Sequence, residues 1–139
     1  MQAKKACAKQ TYMESIEIIK PEQLKANLAQ AISSGYADYV VYFCDPEKMF
    51  PIDKVYLADD TYLCLESNEN SHVKFTAQQL WNELDKFANN YHIYVYDNDE
   101  AQIYDIEPDL WEGKGYDHRW YVDEDNCLCI DVSSRWEIE

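Results

Sequence analysis

Residues 75–97 read F-T-A-Q-Q-L-W-N-E-L-D-K-F-A-N-N-Y-H-I-Y-V-Y-D, and this stretch decides the fold. Thr76 is a good helix N-cap, and Gln79 three residues later completes a capping box. Each side chain takes up a backbone N–H that the first helical turn leaves without a partner. Phe75 before the cap and Leu80 at the fourth helical position form a hydrophobic staple. Leu80, Leu84 and Phe87 then fall on one face at helical spacing. After a short polar break the period changes to two. Ile93 and Val95 point one way, and His92, Tyr94 and Tyr96 the other, as in a strand with one buried face. The unit is helix, turn, strand.

The same unit stands upstream. Ile19, Lys20 and Gln23 occupy the places of Phe75, Thr76 and Gln79. Pro21 sits at the first helical position, where its fixed φ helps and its missing N–H costs nothing. The helix expected over residues 19–34 carries an apolar stripe of Leu24, Leu28, Ala31 and Ile32, and Gly35 stops it. A strand follows over 38–44, with Val41 and Phe43 toward the core and Val40 and Tyr42 away from it. Pro46 and Pro51 bar regular structure in the turn D-P-E-K-M-F-P. Residues 52–57 parallel 103–107. A strand over 62–67 parallels 127–132, with Leu63 and Leu65 on Leu128 and Ile130, and Cys64 on Cys129.

The polar run of residues 67–71 separates the halves. The expected fold class is α+β, built from two αβββ repeats over about 19–67 and 75–132. Neither repeat is large enough to stand alone, so the two share one core within a single domain over 13–139. The sheet is read as mostly antiparallel with both helices on one side, or as two small sheets packed back to back. Residues 1–12, with Lys4, Lys5 and Lys9 and no acid, read as a loose basic tail.

The charge is lopsided. The 139 residues hold 27 acids and 12 bases, a net charge of −15, with an apolar fraction of 47% that excludes a disordered acidic tail. Such a field repels nucleic acid and anionic membranes and attracts basic proteins and cations, although solubility alone also accounts for it. Twelve Tyr and four Trp stand beside only four Phe. Tyr and Trp suit surfaces that are half buried and half wet, and they also fill strands well. The odd number of cysteines, five, and the lack of an apolar leader or membrane-length run point to a reduced, cytoplasmic setting.

The second half carries extra residues over 107–120, including Trp111, Tyr116, Asp117, His118, Arg119 and Trp120. This insertion is read either as a functional loop or as a lid closing one end of the core. Cys127 and Cys129 share a strand face, which Cys64 is expected to join. Their C-x-C spacing is not that of a zinc knuckle, and they read as small apolar residues. His72, His92 and His118 have no metal-ligand spacing. No catalytic residue, metal or cofactor is assigned.

The function expected is that of an acidic, non-enzymatic binding or inhibitor protein. It would occupy a basic surface of a partner protein, including that of a nucleic-acid-acting enzyme, as anti-restriction, anti-CRISPR and nuclease-immunity proteins do as a class. No direct contact with nucleic acid or membrane is expected. The candidate contacts are Asp97, Asp99 and Glu100 at one turn, Asp123, Glu124 and Asp125 at another, and Trp111, Tyr116 and Trp120 as aromatic anchors. The alternative is a small ligand-binding domain or enzyme using the 107–120 loop, with His118 or Asp117 as base and Arg119 holding an anion.

Overall fold

The computed structural model describes residues 20–106 and 120–134. Helix α1 (Pro21–Ala31) runs into a wider π-type turn (Ile32–Tyr36). Gly35 inside that turn breaks the helical path at φ +103°, a left-handed conformation that glycine adopts without a Cβ penalty. Strands β1 (Val40–Asp45), β2 (Lys48–Pro51), β3 (Lys54–Leu57) and β4 (Tyr62–Ser67) follow. Then come helix α2 (Ala77–Leu84) and strands β5 (His92–Asp97), β6 (Gln102–Ile106), β7 (Trp120–Val122) and β8 (Cys127–Ser134).

The helix starts are as the sequence reads. Thr76 Oγ1 accepts from the Gln79 N–H at 3.3 Å, and Gln79 Oε1 accepts from the Thr76 N–H at 3.0 Å. In α1 the reciprocal bond is absent, because a lysine side chain cannot accept. Gln23 Oε1 still takes the Lys20 N–H at 2.7 Å.

The strands form one mixed sheet in the order β2-β1-β8-β6-β5-β4-β3, with β7 also paired to β8. The alternative of two separate sheets does not hold. Hairpins β1–β2 and β5–β6 are antiparallel, as are β3–β4, β7–β8 and β6–β8. The pairs β4–β5 and β1–β8 are parallel. A parallel pair needs a crossover, and α2 supplies it between β4 and β5.

The sheet is curled. Phe50 of β2 touches Tyr104 of β6 with ring centroids 4.8 Å apart, although β1 and β8 lie between those strands. Beyond β2, the Asp53 N–H reaches the Glu66 carbonyl of β4 at 2.9 Å. The inner face carries Val41, Phe43, Leu63, Leu65, Ile93, Val95, Leu128, Ile130 and Val132, all buried. Leu24, Leu28 and Ala31 of α1 and Ala77, Leu80 and Leu84 of α2 close over the same core. The alternation expected for β1 and β5 holds, with Val41 and Phe43, and Ile93 and Val95, inward.

Two expectations are corrected here. Residues 48–51 form a strand that the sequence reading assigned to an irregular turn. Pro46 lies in the turn before it, where Asp45 Oδ1 accepts the Glu47 and Lys48 N–H groups at 2.9 and 2.7 Å. Pro51 is its last residue, so neither proline interrupts the ladder. The hairpin partner of β1 is therefore β2, and residues 54–57 form β3, which pairs with β4 instead. Second, Trp120 is not in a loop. It opens β7, and its indole N–H donates to Gln30 of α1 at 3.1 Å. Among the described residues no helix is long and apolar enough to cross a membrane.

Candidate interaction surface

The parallel pairing of β4 with β5 brings their C-terminal ends together, and the sequence has filled that end with acids. Glu66 is almost fully buried. Its carboxylate accepts the Tyr56 hydroxyl at 2.6 Å and the Asn68 amide at 2.9 Å. The same Asn68 amide lies 3.3 Å from both oxygens of Asp53. The Asn98 side-chain amide donates to Asn68 Oδ1 at 2.6 Å, linking the β5–β6 turn to the chain after β4. Asp99 then accepts the Glu69 N–H at 2.7 Å. Burial alone would raise the Glu66 pKa. The Tyr56 and Asn68 hydrogen bonds and the charge of Lys54 outweigh it and hold the carboxyl below its usual value.

Asp97 is the inner member of this group. It is 1% exposed and bound to Lys48 at 2.5 Å, while Glu100 lies 3.6 Å from the same ammonium. The charge-assisted bond to Asp97 raises the Lys48 pKa. This pair closes the mouth of the curled sheet above Phe50, whose ring lies 5.8 Å from the ammonium. The rim therefore presents Glu69, Asp99 and Glu100 to solvent, with Asp53 half-buried beside them, on backbone held by a connected set of hydrogen bonds.

A second feature lies on the outer face of the sheet. A groove of about 560 Å³ is lined by residues 44–49 together with Tyr121, Asp123 and Cys129. The register sets Tyr42 opposite Cys129 and Cys44 opposite Asp131, so both thiols point away from the helices. Burial, and then the neighbouring Cys129, push the Cys44 thiol up to about 12, so it is neutral. Tyr121 crosses the face, its hydroxyl 3.5 Å from Asp131. Burial raises its pKa first, and Cys44 and Asp131 add to that.

The structure separates the residues singled out from the sequence. Asp97, Asp99 and Glu100 share one turn, but Asp97 is buried and paired and so contributes no exposed charge. Asp99 and Glu100 are exposed. Asp123, Glu124 and Asp125 lie at the opposite end, where β8 begins. The length of β8, at roughly 3.3 Å per residue, separates the two turns. Asp123 has a structural task as well: it accepts the Asp125 and Cys127 N–H groups at 2.9 and 3.0 Å. Trp120 is half-buried, edge-on to Tyr36 at 5.7 Å. Trp111, Tyr116, Asp117, His118 and Arg119 lie outside the described residues.

The thiol beside Cys129 is Cys44, not Cys64, which lies between Tyr56 and Tyr94 on β4. Position within a repeat matches Cys129 to Cys64, whereas the neighbours of Cys129 are set by the β1–β8 pairing across the chain. Among the described residues no three His, Cys, Asp or Glu side chains converge to hold a metal ion. His92 packs edge-on to Tyr62 at 5.6 Å, and its Nδ1 is buried with no hydrogen-bond partner among the described residues. Sequence reasoning missed Lys48, Met49 and the Asp53–Glu66–Asn68 group. The one local signal was the alternation in K-M-F-P, which places Met49 opposite in sense to Phe50. A comparison of the chain with protein-family models, with curated proteins and with solved structures found no match in any of the three.

Proposed function

We propose that this is a non-enzymatic binding protein that occupies a basic surface of a partner protein, one shaped to hold nucleic-acid phosphates. The observation that carries the reading is the acidic rim at the shared end of β4 and β5. Asn68 and the Glu69 N–H hydrogen-bond the Asp53 and Asp99 carboxylates, and Asn98 holds Asn68 in place, before any partner arrives. Pre-organised charges lose little freedom on binding, and their field speeds encounter with a cationic groove. The net charge of −15 acts in the same direction. The protein would work in the cytoplasm, and it would make no contact with nucleic acid itself.

The two-repeat reading supports the same picture. β1–β2 and β5–β6 are corresponding hairpins, and β3–β4 and β7–β8 are corresponding pairs. The parallel pairs β4–β5 and β8–β1 then exchange strands between the halves. A curled sheet joined in that way would hold the rim acids in a fixed pattern.

The test is affinity capture from extracts of the native host at low and high salt, read by mass spectrometry. The expected result is a basic, nucleic-acid-acting protein retained at low salt and released at high salt. Retention of acidic or neutral proteins only, or of nothing, would show that the charge serves solubility.

A further inference from the structure

The groove on the outer sheet face does something that the rim cannot. Two large apolar side chains flank it in full view of solvent, Met49 at 45% and Tyr121 at 48% exposure. Exposed side chains of that size on a helix-free sheet face mark a contact surface when they line one depression. Here they share one groove with Cys44 and Cys129 at its floor. Three acids line the rest of it beside Pro46: Asp45 and Glu47 come from the β1–β2 turn and Asp123 from the β7–β8 turn. Lys48 also lines it, but its charge is taken by Asp97 and Glu100. An apolar floor, an exposed aromatic ring and acids from two different turns fit one kind of side chain.

We propose that this groove takes arginine side chains of the basic partner. The guanidinium lies on the Tyr121 ring and pairs with Asp123, whose Oδ2 is 4.0 Å from the Cys129 thiol beside that ring, and its aliphatic stem runs along the cysteine floor toward Met49. Arginine suits the site better than lysine for physical reasons. Its planar, weakly hydrated cation stacks on an aromatic face and bonds carboxylates in a fork. An ammonium ion keeps its water and stacks less well. This inference rests on the reading of the protein as a binder of basic surfaces. It adds where an anchoring contact is made and which cation makes it.

The experiment titrates the full chain with nona-arginine and with nona-lysine at physiological salt, by calorimetry. Nona-arginine is expected to bind about five-fold more tightly. Tyr121→Ser is expected to bring the two peptides to parity. Leu57→Ser, which removes an exposed apolar residue from β3, is expected to leave the preference unchanged. Amide shifts of the unmutated chain supply a second readout that needs no variant. With nona-arginine they are expected to cluster on residues 45–49, 121–123 and 129.

Equal binding of the two peptides, or an arginine preference that survives Tyr121→Ser, would overturn the groove assignment and leave the broader reading intact. So would shifts confined to Glu69 and residues 97–100. If neither peptide binds even at low salt, the reading as a binder of basic surfaces falls, and this inference with it.

Discussion

At the scale of single residues, the pair Lys48–Asp97 is the sharpest case. Asp97 is buried, so replacing Lys48 by Met leaves a carboxylate in the core mouth without its counter-ion. Breaking a fully buried pair costs roughly 3–5 kcal/mol. Lys48 is about one-third exposed and solvent screens it in part, so the expected loss is about 2 kcal/mol, measured by urea unfolding. The double variant Lys48→Met with Asp97→Asn should recover part of that loss, because no charge is then stranded. Glu66 gives the corresponding pH test. Its pKa in the folded state lies below the ordinary value of 4.5. Its contribution to stability is therefore complete above that value and is lost as pH falls through the folded value. Glu66→Gln removes this dependence. The stability gap between the two proteins should narrow on acidification below pH 4.5, and a gap that is constant with pH would contradict it.

At the scale of elements, the two helix starts make a matched pair. Thr76 caps α2 and Lys20 stands in the same extended conformation before α1, at φ −112° and ψ 162°. Thr76→Ala should cost about 1 kcal/mol, and Lys20→Ser should stabilise by roughly 0.5–1 kcal/mol, both read from thermal unfolding. A null result for Lys20→Ser would mean that the Gln23 bond already satisfies the first turn. These elements were legible because their causes are local: cap, box, staple and period are written within a dozen residues. Strand β2 was not legible. The two prolines that flank it obey the usual rule, but they fall at its edges, where the rule does not forbid a strand. The Asp45 turn that makes room for it depends on a side chain accepting two backbone N–H groups, a bond that residue pattern does not reveal.

At the scale of the whole molecule, sequence reading reached the α+β class and the facing of most core residues. It did not reach the strand order or the curl of the sheet. The β1–β8 and β4–β5 pairings and the Phe50–Tyr104 contact join residues far apart in the chain, and no short-range pattern encodes them. This is also why the candidate site was only half legible. Asp99 and Glu100 announce themselves as a turn, but which acids face outward depends on what Lys48 reaches across the fold. Net charge makes a further prediction at this scale. Self-repulsion among excess acids destabilises the compact state, so added salt should raise the unfolding midpoint of the free protein, while it weakens binding to a basic partner. A parallel fall of both with salt would contradict the electrostatic account.

The most direct test of that account is competition. The basic protein captured from the host would be loaded with a short labelled DNA duplex, and this chain then added, with the duplex followed by fluorescence anisotropy. The proposed function predicts that the chain displaces the duplex, with half-displacement moving to higher concentration as salt rises and when Asp99 and Glu100 are replaced by Asn and Gln. A stable ternary complex of duplex, partner and chain would contradict it, because the chain would then bind somewhere other than the surface that holds phosphates.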